Sequence, residues 1–456
     1  MLDLQTIAAI VFLIALTIFV CFKRKSLDTK QIIPYFLYFS MYKTKLGLKL
    51  MDSAAKKYRK LMLYIGYFGV LVGFLGMLLI SYSLIHNVYA LFTKPEAASG
   101  VGLVLPFRGK GIFFVPFFYW IISIFVIAVV HEFAHGLISR AHNLKVRSSG
   151  FAFVGTGFRG GGIAIIALSL FFKIKGGSDI IGLGAFDFMS YSSPDFWILV
   201  GLALILVSYI RQISSFAHVP IIPAAFVEPD EKELRKKPHK EQLSVFAAGP
   251  LANIITAFIC IGIVYFFIAP LANAIIEPDG VKITDYVKEK EPYPAEKAGI
   301  KIGEIIRQAD GKPTPLVANL SAILKSKKPN AIVAIKTDKS SYDIRLAKNP
   351  QNESLAYIGA YLEQNTKIKE DIRANYGKFL PSALIWAYGL FAILFILNLG
   401  IGLFNLVPIG PLDGGRMLQL LLHRLFDREK GDRYWGYIGV FFFVLIFVNL
   451  VAGLVK

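Results

Sequence analysis

The chain has 456 residues, of which 55% are hydrophobic, and it carries a formal net charge of +19. This composition excludes an ordinary soluble protein and predicts a polytopic membrane protein with one more polar stretch. The basic residues cluster beside apolar segments, so they favour anchoring at the inner leaflet of the bilayer, and no nucleic-acid partner is expected. Cys21 and Cys260 both lie in predicted spans, so neither a disulfide framework nor a cysteine-based zinc site is expected.

The first predicted elements are membrane spans separated by a basic segment. Residues 5–22 form the first span, and the basic run Lys23-Arg24-Lys25 that follows indicates an N-terminus outside the cytoplasm. Residues 23–60 carry many lysines and arginines against only two aspartates, so they are expected in the cytoplasm, partly lying on the membrane. Residues 61–92 then cross outward and residues 113–141 cross inward.

Residues 160–210 form an apolar insert between two basic, cytoplasmic segments. The number of crossings within it must therefore be even, which allows a two-helix hairpin or a pair of re-entrant pieces, and the hairpin is preferred. The remaining predicted elements are a span over 243–269, a soluble β-rich domain over 272–366, a span over 379–407, a basic loop around 416–433 and a last span over 434–454.

The span over 113–141 ends in the motif His131-Glu132-x-x-His135. Residues four apart lie on one face of a helix, so the two histidines can bind one metal ion, and Glu132 can act as the base for a metal-bound water. The alternative is two core histidines and a glutamate that reaches towards water. A carboxylate in hydrocarbon costs roughly 2.5–3.5 kcal/mol, which disfavours that alternative.

A catalytic zinc site usually has a third protein ligand, and Asp413 is the candidate. It is predicted at the cytoplasmic end of its span, on the same side as the two histidines. The prolines and glycines around it would break a helix, and irregular backbone at membrane depth is tolerated where it lines a wet cavity. The alternative is that Asp413 caps a helix beginning at Gly414.

Three motifs occur in the order seen in the site-2 protease family of intramembrane zinc metalloproteases, which the chain resembles. They are His131-Glu132-x-x-His135, Gly249-Pro250-x-x-Asn253 and Asn405-x-x-Pro408-x-x-x-Leu412-Asp413-Gly414. The resemblance implies that His131, His135 and Asp413 bind one Zn²⁺ ion per chain and that Glu132 is the general base. It also implies that the substrates are transmembrane helices, which must unwind before cleavage.

The same resemblance suggests three further features. Asn253 would hydrogen-bond the unwound substrate or the oxyanion, although pairing with a neighbouring helix is an alternative. Residues 218–230 resemble a family segment that offers a strand edge to the substrate, and Ala225 and Val227 are the expected donors because proline has no N–H. Here the insert separates that segment in sequence from Gly150–Phe153. Residues 294–306 and 310–313 look like part of a PDZ domain, with either a peptide ligand or a role as a rigid lid.

The expected fold is therefore a mostly α, polytopic membrane helix bundle of about six core spans plus an inserted hairpin, with one small β-rich PDZ-like domain. The predicted domains are 1–112, an N-terminal membrane segment; 113–271, the first part of the protease core; 272–366, the PDZ-like domain; and 367–456, the second part of the core. The expected function is an intramembrane zinc endopeptidase in the cell membrane. Its active site would lie toward the cytoplasm, and its PDZ-like domain would be extracytoplasmic.

Two other functions are alternatives to this one. The first is a membrane scaffold or adaptor that binds protein tails through the PDZ-like domain and keeps a vestigial metal site. A scaffold has no reason to retain a base beside two metal ligands, so Glu132 argues against it. The second is a metal transporter with a site at the bilayer midplane, which predicts inverted repeats that the sequence does not show.

Overall fold

The computed structural model describes residues 4–33, 36–94, 97–106, 112–175, 194–209, 218–287, 291–350, 352–377 and 379–455. The chain divides into two compact units. The first comprises Met1–Gly262 together with Gly389–Lys456, and the second comprises Ile263–Tyr388.

The α-helices are numbered in chain order. They are α1 (Leu4–Phe22), α2 (Leu48–Lys57), α3 (Arg59–Thr93), α4 (Phe117–Ala141), α5 (Phe158–Lys175), α6 (Pro194–Val207), α7 (Glu231–Leu234), α8 (His239–Ile263), α9 (Ala269–Ile275), α10 (Pro294–Lys297), α11 (Val317–Lys325), α12 (Glu370–Tyr376), α13 (Phe379–Phe404), α14 (Asp413–Leu425) and α15 (Arg428–Val455).

The strands are likewise numbered in chain order. They are β1 (Leu27–Ile33), β2 (Leu37–Thr44), β3 (Leu103–Leu105), β4 (Ile112–Phe114), β5 (Val146–Gly157), β6 (His218–Pro229), β7 (Ile276–Tyr286), β8 (Ile305–Ala309), β9 (Lys312–Pro313), β10 (Ile332–Thr337), β11 (Ser341–Arg345), β12 (Ala347–Asn349), β13 (Asn352–Tyr357) and β14 (Ala360–Ile368).

Five helical segments in the described residues are long and apolar enough to cross a membrane, which confirms a mostly helical, multi-pass membrane protein. They are Arg59–Thr93, Phe117–Ala141, His239–Ile275, Phe379–Phe404 and Arg428–Gly453. The first predicted span is also helical, as α1, but it is not one of these five. The predicted basic loop around 416–433 is instead helical over most of its length. Met417 and Leu422 of α14 are buried, so that helix has a packed face.

Helix α3 packs through a row of small residues. Its buried glycines are Gly66, Gly69, Gly73 and Gly76, which share one face because they recur every three or four residues. A Cβ at Gly69 would lie 3.1 Å from Leu251 of α8, and one at Gly73 would lie 2.7 Å from Met417 of α14. Small residues allow such close approach between helices in a membrane, so this row brings α8 and α14 together against α3.

Four strands of the first unit form an antiparallel sheet in the order β1-β2-β5-β6. The basic segment predicted to lie partly on the membrane therefore supplies two of these strands. Strands β5 and β6 pair directly, with Phe151 opposite Ala225 and Ser149 opposite Val227. The insert thus joins two neighbouring strands, and β6 is an edge strand, as the resemblance predicted.

The insert contains two helices, α5 and α6, which pack against each other. They meet at glycines, since a Cβ at Gly162 would lie 2.6 Å from the carbonyl oxygen of Gly201. Helix α6 has 14 residues, or about 21 Å, against a hydrocarbon core of about 30 Å. Residues 176–193, between the two helices, lie outside the described residues, and a hairpin that crosses the membrane stays a prediction.

The second unit is built on a sheet in the order β11-β10-β8-β7-β14, with β9 paired to β8. The strands predicted at 331–335 and 341–346 are present as β10 and β11. Strands β7, β8 and β10 contribute side chains to one core, in which Val281, Ile283, Ile306, Val333 and Ile335 are fully buried. A β-rich unit in this part of the chain is therefore confirmed.

Candidate metal centre

The predicted histidine pair lies on one face of α4. The Nε2 atoms of His131 and His135 are 3.1 Å apart. The Oδ2 atom of Asp413, from the start of α14, lies 3.1 Å from the first of these nitrogens and 3.4 Å from the second. Ligand atoms of a tetrahedral zinc site with bonds of about 2.0–2.1 Å stand about 3.3 Å apart. The three atoms therefore have the spacing of one face of a zinc tetrahedron.

Asp413 is brought to this point by a tight turn between α13 and α14. The N–H of Gly414 donates to the carbonyl of Asn405 at 2.8 Å, which folds the chain back on itself. A Cβ at Gly414 would lie 2.1 Å from the carbonyl oxygen of Leu406. Only glycine allows that approach, so the Leu412-Asp413-Gly414 order has a direct steric cause.

The capping alternative for Asp413 is wrong. Helix α14 begins at Asp413 itself, its N-cap is Leu412, and no side chain caps it. The carboxylate points instead at the two histidines.

Gly249 of α8 makes room for a metal ion. A Cβ at this position would lie 2.5 Å from Nε2 of His135 and 2.6 Å from Nε2 of His131. Any larger residue would therefore occupy the space in front of both nitrogens. The sequence motif contains Gly249, but no role was predicted for it, because its position relative to α4 depends on how the two helices pack.

The other ring nitrogens of the two histidines are also engaged. Nδ1 of His135 lies 2.7 Å from the carbonyl oxygen of Val245, which can only accept, so this nitrogen carries the proton. Nε2 of His135 is consequently left with the lone pair that a metal needs. A hydrogen bond from the second ring nitrogen to a carbonyl is the usual support of a metal-ligating histidine.

Asn253 supports His131 in a similar way. Its side-chain amide lies 3.2 Å from Nδ1 of His131. Its Oδ1 is buried and has no hydrogen-bond partner among the described residues when the amide nitrogen faces the ring. Rotating the amide by 180° places Oδ1 where it accepts the Nδ1–H, which satisfies this oxygen and leaves Nε2 free for a metal.

Glu132 accepts a hydrogen bond from the backbone of the edge strand. The N–H of Val227 lies 3.0 Å from its Oε2. Because this N–H points away from β5, Val227 and Ser149 form a pair without ladder hydrogen bonds. The pairing pattern alternates along an antiparallel ladder, so the N–H of Ala225, two residues earlier, faces the same open edge of β6.

A cavity of about 650 Å³ lies at this point, and its lining residues include His131, Glu132, His135, Val227 and Asp413. Asn405 of the turn also lines this cavity. It is the first residue of the motif that contains Asp413, but the sequence predicts no role for it. The rim is charged: Arg147 donates to Oδ2 of Asp230 at 2.7 and 3.1 Å. This hydrogen bond is the main reason why the pKa of the Asp230 carboxyl is lowered.

The structure thus brings together His131, Glu132, His135, Asp413, Asn253 and Val227. Ala225 lies on the same strand edge, two residues before Val227, and is not among the residues that line the cavity. The donor set of two imidazoles and one carboxylate, next to a second carboxylate, is that of a catalytic zinc site with an open position.

Comparisons with known proteins give one family match. The model of peptidase family M50 matches residues 188–446, more than half of the chain. The matched range contains Gly249, Asn253 and Asp413 and begins after the two histidines.

Two relatives are similar in sequence. The Regulator of sigma-W protease RasP of Bacillus subtilis (strain 168) is 23% identical in an alignment over 263 residues, which covers 48% of this chain and 60% of that protein. The chain therefore spans less than two thirds of its length. The uncharacterized protein MJ0971 of Methanocaldococcus jannaschii is 25% identical over 406 residues, which are 88% of this chain and 82% of that protein.

One solved structure is similar to about a fifth of the chain. It is the PDZ domain of an SdrC-like protein from Listeria monocytogenes, with 21% identity, a TM-score of 0.16, and coverage of 21% of this chain and 92% of that one. A TM-score this low carries no weight for the fold. The PDZ-like character of the second unit and its peptide ligand stay predictions.

Proposed function

The chain belongs to peptidase family M50, and on that basis we propose that it is an intramembrane zinc endopeptidase that cleaves transmembrane segments of membrane proteins. The observation that carries the proposal is the spacing of three ligand atoms at 3.1–3.4 Å, with Glu132 next to the first ligand. The relative from Bacillus subtilis is named a protease, which agrees with this function.

In this proposal His131, His135 and Asp413 hold one Zn²⁺ ion in the space that Gly249 leaves open. When bound, zinc would polarise the scissile carbonyl and lower the pKa of a water from 15.7 towards about 7. Val245 and Asn253 hold the two imidazole rings so that their Nε2 lone pairs face this space. Asn253 is thereby proposed to position His131 rather than to bind the substrate.

Glu132 is proposed to take the proton of the attacking water and to pass it to the leaving amine. The carboxylate needs a fixed orientation for this, and the N–H of Val227 supplies it in the structure. The edge strand therefore has a second role besides substrate binding, which the sequence pattern did not predict.

The substrate is proposed to add as a strand to the open edge of β6. A transmembrane helix that unwinds loses its internal hydrogen bonds, and an edge strand can replace them. The N–H of Val227 is already engaged by Glu132, so the N–H of Ala225 is the donor that can meet the substrate without disturbing the base.

The proposed orientation in the membrane follows from the distribution of basic residues along the chain. The basic segments 23–60 and 231–240 are proposed to face the cytoplasm, which places the metal centre toward that side. The bilayer and transmembrane proteins are the proposed partners. A scaffold with a vestigial metal site would need neither the open space at Gly249 nor the oriented Glu132, so the structure offers it no support.

The test is Glu132→Gln in purified protein with a membrane-helix substrate. The amide cannot accept a proton, so cleavage should fall at least about 100-fold. Zinc content, measured on the same samples, should stay at one ion per chain. Residual turnover near wild type would mean that another residue is the base, and cleavage that persists in a zinc chelator would rule out a metal mechanism.

A further inference from the structure

A second cavity, of about 590 Å³, lies beside the metal centre in the first unit. It is formed by the segment from α7 to the first turns of α8, by α14 and by the start of α15. It shares Glu231, Leu234, Phe246 and Arg416 with the cavity around the metal centre, and its other lining residues are its own. Its volume is that of a small-molecule site.

Basic side chains from different elements converge on this cavity. They are Arg235, His239, Arg416, His423 and Arg428. Glu231 is the only carboxylate among the lining residues. Asp432 accepts hydrogen bonds from the lining residues Gln419 and His423 at 2.8 and 2.7 Å. Three arginines against these two carboxylates leave an excess of one positive charge when both histidines are neutral.

Glu231 does not occupy the hydrogen-bond donors of the neighbouring arginines. Its carboxylate lies 3.8 Å from a guanidinium nitrogen of Arg235 and 3.8 Å from one of Arg416. Both distances exceed that of a hydrogen bond, so the donors of the two guanidinium groups remain available. A guanidinium presents a planar fork of donors, which matches the oxygens of a phosphate group.

One wall of the cavity is a fixed aromatic ring. The indole N–H of Trp435 donates to the carbonyl of Gly415 at 2.9 Å. The ring lies directly on Gly410, where a Cβ would be 2.9 Å from it. These two contacts hold the ring in one orientation, so it offers a rigid flat surface next to the arginines.

We propose that this cavity binds a phosphate ester through Arg235, Arg416 and Arg428, with Trp435 against the organic part of the ligand. A solvated basic surface is the simpler alternative, but it would not require a concave site with charges from several elements and a fixed ring. A carboxylate is a poorer match, because it offers two acceptor oxygens to three guanidinium groups, whereas a phosphate group offers three.

The position of the site links it to the metal centre. Gly410 and Gly415, which Trp435 contacts, flank Asp413 in sequence, and Arg416 follows three residues after it. A bound phosphate therefore touches the segment that carries the third proposed metal ligand. Binding itself does not depend on the proposed protease activity, so the test below measures binding alone.

The phosphate can come from a phospholipid headgroup or from a soluble compound, and two probes distinguish them. Inorganic pyrophosphate is titrated calorimetrically into protein in a non-ionic detergent. In parallel, protein from nanodiscs with or without phosphatidylglycerol in phosphatidylcholine is examined by native mass spectrometry for retained lipid. Thermal unfolding reports whether each variant keeps its fold.

The variant is Arg235→Gln/Arg428→Gln, which removes two lining charges outside the metal cavity. The control is Lys430→Gln/Arg433→Gln, which removes two charges from α15 outside both cavities. The dissociation constant of the bound probe should rise about 100-fold in the first variant, at about tenfold for each arginine, and less than about threefold in the control. If the double variant does not fold, Arg428→Gln alone should still show the tenfold loss.

Binding of pyrophosphate that the variant loses assigns a soluble phosphate ester, and loss of retained phosphatidylglycerol alone assigns a lipid headgroup. Three results would overturn the site. They are no binding of either probe to wild type, equal binding by wild type and variant, and equal losses in the variant and the control. Equal binding by wild type and variant is also the result expected if pyrophosphate binds only at the metal centre.

Discussion

Gly249 is the residue whose role is clearest at the scale of single side chains. Alanine there would place its Cβ within 2.6 Å of both histidine Nε2 atoms, in the space proposed for zinc. We expect Gly249→Ala to lose most of the bound zinc, as Asp413→Ala should, when metal is measured per chain in purified protein.

The variant should not lose its helix, because alanine is more favourable than glycine in a helix by about 1 kcal/mol. Gly262→Ala is the matched control: it lies in the same helix, α8, and has no atom within 4 Å of its Cβ position. Full zinc in Gly249→Ala would show that the metal does not lie between the histidines and α8.

At the scale of secondary-structure elements, the open edge of β6 is proposed to hold the substrate. Ala225→Pro removes an N–H that faces this edge, and proline is tolerated on edge strands. We expect slower cleavage of a helical membrane substrate, by about tenfold for one lost hydrogen bond, with unchanged zinc content.

Ala225→Val, which keeps the N–H, is the control and should cleave at the wild-type rate to within about threefold. A substrate with helix-breaking residues separates two roles of Ala225. If Ala225 assists unwinding, the proline effect should disappear, and if it assists pairing, the effect should remain. Normal cleavage by Ala225→Pro of every substrate would contradict strand addition at β6.

The connection between β6 and α7 should respond to acid. Asp230 caps α7 by accepting from the N–H groups of Lys232 and Glu233, and it pairs with Arg147 of β5. Its pKa is lowered, chiefly by the hydrogen bond from Arg147. The stabilisation from this pair is therefore complete above the ordinary carboxyl pKa of about 4 and is lost as the pH falls through the lowered value.

Asp230→Asn keeps the cap, because asparagine caps helices as well as aspartate does, but it removes the charge. We expect a lower Tm at pH 7 and a smaller decline of Tm between pH 5 and pH 2 than in wild type, as measured by thermal unfolding. Asp28→Asn, in the exposed pair with Lys43, is the control. A decline as steep in Asp230→Asn as in wild type would show that this carboxyl does not contribute.

At the scale of the whole molecule, the charge distribution predicts the orientation in the membrane. Single cysteines near positions 110 and 340 should react with an impermeant thiol reagent added outside cells, and those near 50, 236 and 428 should not. The background is Cys21→Ser/Cys260→Ser, which removes both native thiols. Labelling of position 236 from outside would reverse the proposed orientation.

Position 185 tests the insert separately. It lies between α5 and α6 in sequence, outside the described residues, where the predicted hairpin would turn. Labelling from outside would indicate that the two helices cross the membrane, and protection would indicate a re-entrant pair. The short length of α6 makes this measurement the decisive one for the insert.

The sequence alone determined those features that depend on local spacing and on hydropathy. His131 and His135 had to share a helix face because they are four residues apart, and the apolar segments had to be helices in a membrane because a bilayer offers no other partners for the backbone. The alternation at 331–335 and 341–346 predicted strands, because residues two apart face the same side of a sheet.

Only the tertiary structure decided which groups meet around these elements. The contacts of Gly249 with the two histidines, of Asn253 with His131 and of Val227 with Glu132 join residues far apart in the chain. They depend on how α8 and β6 pack against α4, which no local pattern encodes. The same holds for the pairing of β5 with β6 across the insert and for the basic cavity at Trp435, since the free energy that selects these contacts comes from packing between distant segments.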